Sequence, residues 1–163
     1  MGQILIDASG PGADSRDPMN PNTQAKASAW ALVFAGWVVA TASTLGALFF
    51  SEVLELPPCL LCWYQRIFMF PLVLLLPIGL FPFDPKVVRY ALPLSLLGTV
   101  VAAFHVLLVA GVVPESVTPC SRGVPCSEVQ IAWFGFVSIP VLAVLAFTLI
   151  TLLLVVAHLR TDK

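Results

Sequence analysis

Four stretches of this chain carry no charged side chain, and their lengths leave few folds open. Between Lys26 and Glu52 lie 25 uncharged residues, between Arg66 and Asp84 17, between Arg89 and Glu115 25, and between Glu128 and Arg160 31. A helix needs about 20 apolar residues to cross the hydrocarbon core of a bilayer, with a usual range of roughly 17 to 25. All four stretches are long enough. Only 10% of the 163 residues are charged and 59% are hydrophobic, against about 25% charged in a soluble domain. Most of the surface must therefore face lipid. The expected fold is all-α: a four-transmembrane-helix bundle over residues 29–159, with both termini cytoplasmic. Residues 1–28 read as a disordered polar tail and 160–163 as a short cytoplasmic one.

The segment Met1 to Ser28 is rich in Gly, Pro, Asp and Asn. It lacks the basic start, short apolar core and small-residue cleavage site of a secretory signal, and Met19 is an alternative natural start. The second apolar stretch is the shortest and contains Pro71 and Pro77. Proline is tolerated in a spanning helix when a neighbouring helix satisfies the carbonyl it frees. A first turn drawn from Cys62 to Arg66 gives this helix normal length, with Arg66 at the interface and its guanidinium extended toward water.

Orientation follows from the basic residues. An inside N-terminus places Arg16, Lys26, Lys86, Arg89, Arg160 and Lys163 in the cytoplasm and leaves only Arg66 and Arg122 outside, as the positive-inside bias requires. The outer loops are then Glu52 to Gln65 and Glu115 to Gln130, and together they hold all four cysteines. A net charge of −1 says nothing about a nucleic-acid partner, and no basic patch points to one, so none is expected. The aromatic group Trp133, Phe134 and Phe136 reads as an interfacial anchor. Gly36, Gly46, Ala40, Ala42 and Ala47 make the first helix small, which close helix packing explains. No phosphate-binding glycine loop, nucleophile elbow or acid and base carboxylate pair is present.

Three chemistries compete for the sulfurs of Cys59, Cys62, Cys120 and Cys126. Inert disulfides are the first, but a Cys-x-x-Cys bridge closes too small a loop to stabilise much. A zinc site with one knuckle per loop is the second. An oxidising exterior works against four free thiolates, and Leu60-Leu61 lacks a knuckle's glycine turn. Redox catalysis is the third. Pro57-Pro58 ends the preceding structure, so Cys59 and Cys62 fall at a helix N-terminus, where free N–H groups favour a thiolate. Arg66, one turn beyond Cys62, shares its helix face. In the other loop, Gly123 and Pro125 favour a turn that lets Cys120 and Cys126 meet. His105 lies within the third stretch, 8 to 9 residues or ~13 Å from its outer end at the helical rise, and an ionisable group at such depth is a candidate for function. His158 reads as interfacial. Two dithiols on one face of a bundle imply electron flow between thiols outside and a lipid-soluble carrier.

The strings Ser51-Glu52-Val53-Leu54, Pro58-Cys59-Leu60-Leu61-Cys62-Trp63-Tyr64-Gln65-Arg66, Pro119-Cys120-Ser121-Arg122-Gly123-Val124-Pro125-Cys126 and Trp133-Phe134-Gly135-Phe136 resemble the disulfide bond formation protein B (DsbB) family. Among its branches they look most like the short BdbC type, over Trp30 to Ala157. The resemblance implies an oxidoreductase of the bacterial cytoplasmic membrane. It would reoxidise a DsbA- or BdbD-like thioredoxin-fold dithiol oxidase and pass electrons to a quinone, ubiquinone or menaquinone. It further implies that Cys120 forms the mixed disulfide with that partner, that Cys126 exchanges with Cys59, and that Cys62 is the thiolate facing the quinone. Arg66, and His105 by approximate position, would flank the quinone head group. One departure is the short spacing of the second pair, which leaves the roles of Cys120 and Cys126 interchangeable. A vitamin K epoxide reductase-like enzyme would carry its Cys-x-x-Cys on the last helix, the reverse of the order here. A membrane scaffold with structural disulfides would tolerate Cys62→Ser in function.

Overall fold

A computed structural model of the chain describes residues 21–114, 126, 132–133 and 137–161. Four helices hold nearly all of them: α1 (Pro21–Leu48), α2 (Leu60–Leu80), α3 (Lys86–Val109) and α4 (Ile139–Thr161). A π-helical turn, Phe49–Val53, prolongs α1, and β1 (Ala132–Trp133) pairs antiparallel with β2 (Val137–Ser138) just ahead of α4. The expected four-helix membrane bundle is present, and each helix is long and apolar enough to span a bilayer. Of the segment expected to be a disordered tail, residues 21–28 are already helical in α1. Residues 1–20 and 162–163 of the two expected tails lie outside the described residues, as do Cys120, Phe134 and Phe136.

The helices form a closed ring in which α1 packs on α2, α2 on α3, α3 on α4 and α4 on α1. Successive helices run antiparallel. The end of α1 and the start of α2 therefore meet the end of α3 and the start of α4 at one end of the bundle, and Pro21 and Thr161 lie at the other. There, Trp30 of α1 sits edge-on to Phe81, which follows α2, with ring centroids 6.4 Å apart. Between 17% and 33% of residues in the apolar windows are buried. Side chains such as Leu74, Ile78, Val100, Leu145 and Leu152 point outward, as a lipid-facing surface requires.

Inside the ring, Leu72, Leu76, Phe147, Ile150 and Leu154 are fully or almost fully buried. Phe147 lies on Gly98, and Val87 on Gly79, so closely that a β-carbon at either glycine would collide with the facing side chain. Close approach of this kind supplies packing where lipid gives no hydrophobic drive between helices. Pro77 has no N–H to offer the Val73 carbonyl, and Trp37 of α1 takes that place, its indole N–H donating to Val73 O at 3.2 Å. A neighbouring helix thus satisfies a carbonyl that proline frees.

The connections set where the helices stop. Asp84 donates its N–H to Gly79 O (2.8 Å) and accepts at Oδ1 from Lys86 N–H (3.0 Å), which fixes the start of α3. At its other end Gly111 adopts φ +73°, and the N–H groups of Gly111 and Val112 return to Leu108 O and Leu107 O, each at 3.0 Å. This Schellman closure needs the left-handed conformation that glycine supplies without strain. It ends α3 four residues after His105, while the apolar run continues to Val113. His105 is therefore roughly 6 Å from the helix end at the helical rise, and not at the depth of ~13 Å that the length of the apolar run implies.

Candidate functional site

Cys59 is the N-cap of α2, with extended backbone (φ −67°, ψ 167°), and its Sγ accepts from the Cys62 N–H at 3.4 Å. Pro57-Pro58 precludes a helix running into this point, so the first turn of α2 is closed by sulfur where an oxygen is usual. The two Sγ atoms are 2.7 Å apart and both residues are free thiols. A disulfide at ~2.05 Å is a small movement away. The Cys59 thiol is held well below the ordinary thiol range, chiefly by its hydrogen bond with Cys62, then by His105 and the Cys62 N–H, with burial opposing.

Each sulfur has a different neighbourhood. Cys59 belongs to a small buried cluster with Leu61, Leu108 and Cys126. His105 stands there, 2% exposed, its Nε2 3.8 Å from Cys59 Sγ and 3.1 Å from the Cys126 carbonyl oxygen. Its Nδ1 is 3.1 Å from Gln65 Nε2. Cys126 is itself disulfide-bonded, and neither Cys59 nor Cys62 is its partner.

Cys62 instead lines a cavity of about 430 Å³ between α1, α2 and α4. Its walls are apolar, with Leu56, Met69, Phe70, Leu142 and Phe147, and the polar groups Cys62, Arg66, Gln65, Ser43 and Thr44 also line it. Gly46, Ala42 and Ala47 of α1 form one side, and a β-carbon built at Gly46 meets nothing within 4 Å. Of the small residues of α1 expected to serve close packing, Ala40 is fully buried in the core, whereas Gly46, Ala42 and Ala47 leave space. No described residue of α3 lines the cavity.

Arg66 does not extend to water as expected. It is only 9% exposed, and its Nη2 donates to the Ala47 carbonyl at 2.8 Å. Ala47 is where α1 passes into its π-helical turn, and Ser51 Oγ donates to the same oxygen at 3.2 Å. The guanidinium also lies 5.3 Å from the centre of the Trp63 ring. Within the described residues no carboxylate neutralises it. A cation buried beside a cavity in this way favours negative charge developing there.

The structure thus brings Cys59, Cys62, His105, Cys126 and Arg66 to one end of the bundle, with Arg66 on the cavity side and His105 on the Cys126 side. The sequence reading missed Gln65, which bonds His105 and also lines the cavity. Its signal was its position three residues after Cys62 on a buried face. It also missed Thr44, whose buried Oγ1 has no hydrogen-bond partner among the described residues.

The family sequence model described as Disulfide bond formation protein DsbB matches residues 26–157. A probable disulfide formation protein of Metapseudomonas resinovorans is 45% identical over 144 residues, which cover 88% of this chain and 99% of that protein. Disulfide bond formation protein C of Bacillus subtilis (strain 168) is 48% identical over 118 residues, 72% of this chain and 86% of the relative. No solved structure matches the chain.

Proposed function

This chain belongs to the DsbB family of disulfide bond formation proteins, a premise from which we propose that it is a membrane thiol:quinone oxidoreductase. Its substrate is the reduced dithiol of a DsbA- or BdbD-like thioredoxin-fold oxidase outside the bacterial cytoplasmic membrane. Both termini lie in the cytoplasm and both cysteine loops outside it.

The observation that carries the reading is the division of one dithiol between two environments. Cys59 shares a buried cluster with Cys126, a residue of the second pair, with His105 in contact with both, while Cys62 faces an apolar cavity beside a buried cation. In the proposed cycle a partner thiolate attacks the Cys120–Cys126 disulfide at Cys120 and releases Cys126 as a thiolate. Cys126 attacks Cys59, the Cys59–Cys62 bond breaks, and Cys62 leaves as a thiolate. The partner's second thiol resolves the mixed disulfide and leaves oxidised. Return of Cys120 to Cys126 then frees Cys59. The partner has lost two electrons and two protons, and the Cys59, Cys62 pair has gained the two electrons.

The cavity fits a quinone. Its volume of about 430 Å³ lies within the usual range of roughly 300 to 1,000 Å³ for small-ligand pockets. Its walls are apolar, and the buried Thr44 Oγ1 is a hydrogen-bonding group without a partner among the described residues. A quinone held there supplies an acceptor for two electrons and two protons. Arg66 would stabilise negative charge on a head-group oxygen, Thr44 would bond to the head group, and Cys62 would present its thiolate.

The test is to mix the purified protein with a reduced thioredoxin-fold oxidase and ubiquinone or menaquinone, and to follow quinone absorbance. Turnover is expected, abolished in Cys62→Ser. Arg66→Ala should raise the quinone KM about tenfold, the effect of losing one charge-assisted contact. Absence of turnover with either quinone would discard the proposal, and an unchanged KM would remove Arg66 from the site.

A further inference from the structure

His105 has two ring nitrogens and three neighbours, and the chemistry of those neighbours fixes its proton. The Cys126 carbonyl oxygen, 3.1 Å from Nε2, can only accept a hydrogen bond, so Nε2 must carry the hydrogen. In the neutral ring Nδ1 is then bare and needs a donor. The Gln65 side-chain N–H₂, 3.1 Å away, supplies it. The opposite arrangement, with Gln65 accepting from Nδ1–H, would set two lone pairs against each other at Nε2 and Cys126. The same Nε2–H faces Cys59 Sγ at 3.8 Å. All three partners are buried, at 7% for Gln65, 7% for Cys59 and 2% for Cys126. Water does not compete for these bonds.

We propose that Gln65 is a positioning residue that locks His105 as the Nε2–H tautomer, and that this N–H directs sulfur exchange to Cys59 by holding the Cys126 backbone against it. The exchange itself is that of the proposed function, on which this inference rests. The Cys126 thiolate forms a bond to Cys59 Sγ, the Cys59–Cys62 bond breaks, and the electron pair leaves on Cys62. When Cys120 later attacks Cys126 in the Cys59–Cys126 disulfide, that bond breaks and Cys59 leaves as a thiolate, and the Nε2–H is placed to donate to it. One hydrogen bond thus selects which of two adjacent sulfurs is attacked and leaves the other at the cavity. His105 serves the exchange junction, and Gln65, which also lines the cavity, joins the two sides.

The test needs neither quinone nor partner. In full-length protein carrying Cys62→Ser and Cys120→Ser, only Cys59 and Cys126 remain, and the fraction bridged is read by mass spectrometry across a series of glutathione redox ratios. The parent should form the bridge readily. Adding Gln65→Leu or His105→Ala should lower the bridging constant about tenfold each, the weight of a hydrogen bond to a charged group, and the two together no further, because they remove one device. His105→Gln, whose amide can offer an N–H near the Nε2 position, should recover bridging to within about threefold of the parent. Bridging unchanged by Gln65→Leu and His105→Ala overturns the inference, as does equal loss in His105→Ala and His105→Gln. A parent that forms no bridge overturns it together with the exchange reading. Bridging that depends on Gln65 in a protein that reduces no quinone sustains it and strikes only the quinone reading.

Discussion

In the middle of the bundle and at the end that holds Pro21 and Thr161, Gly98 and Gly79 lie beneath Phe147 and Val87, with no room for a β-carbon. At the thiol end Gly46 has nothing within 4 Å of where its β-carbon would be, and with Ala42 and Ala47 it borders the cavity. The residue type is the same and the use is opposite. At Gly98 and Gly79 a missing side chain is filled by a neighbour, which brings helices together. At the thiol end it is not filled, because Arg66 and the π-helical turn hold the end of α1 by a polar contact to Ala47 rather than by apolar packing. Small residues in a spanning helix therefore mean contact or vacancy according to what faces them.

The contrast can be broken most severely at Gly98. Gly98→Val forces Phe147 aside, and overpacking of this kind costs about 1 to 3 kcal/mol; thermal unfolding in detergent should fall by several degrees. Gly46→Val is the matched change at the open end. Its stability should stay within ~0.5 kcal/mol of wild type, while its branched side chain enters the cavity and raises the quinone KM. Equal destabilisation by the two variants would mean the thiol end is packed as tightly as the rest. The gentlest measurement uses pH. Because the Cys59 thiol is lowered from its ordinary value, its thiolate persists as pH falls until the lowered value is crossed. Per-site alkylation of Cys59 in the reduced protein should change little between pH 8 and 6. A thiol with pKa ≈ 8.5 would slow roughly 80-fold over that interval. A fall of that size would show that Cys62 and His105 do not hold the Cys59 thiolate.

The spans were legible because charge avoidance is a property of one helix read along its length. So was the placement of Cys59 and Cys62 at a helix start, since Pro57-Pro58 permits little else, and the sharing of a face by Cys62 and Arg66, which follows from helical spacing. What one helix cannot reveal is its neighbours. The cavity requires α1, α2 and α4 together, so Gly46 and Ala42 read as packing residues. The contact of Arg66 with Ala47 depends on where α1 changes its hydrogen-bond ladder. The setting of His105 depends on a glycine closure that ends α3 before its apolar run does, and on Gln65 across the helix interface.

Every polar group of the site lies within about two turns of a helix end: Thr44 and Ala47 in α1, Cys62, Gln65 and Arg66 in α2, His105 in α3. The remaining length of each helix contributes thickness and no chemistry. Bilayers differ in hydrocarbon thickness by several Å, and mismatch costs only fractions of a kcal/mol per Å. A protein built in this way can gain or lose a turn at its far end to suit another membrane without altering the distance between any two of its reacting atoms.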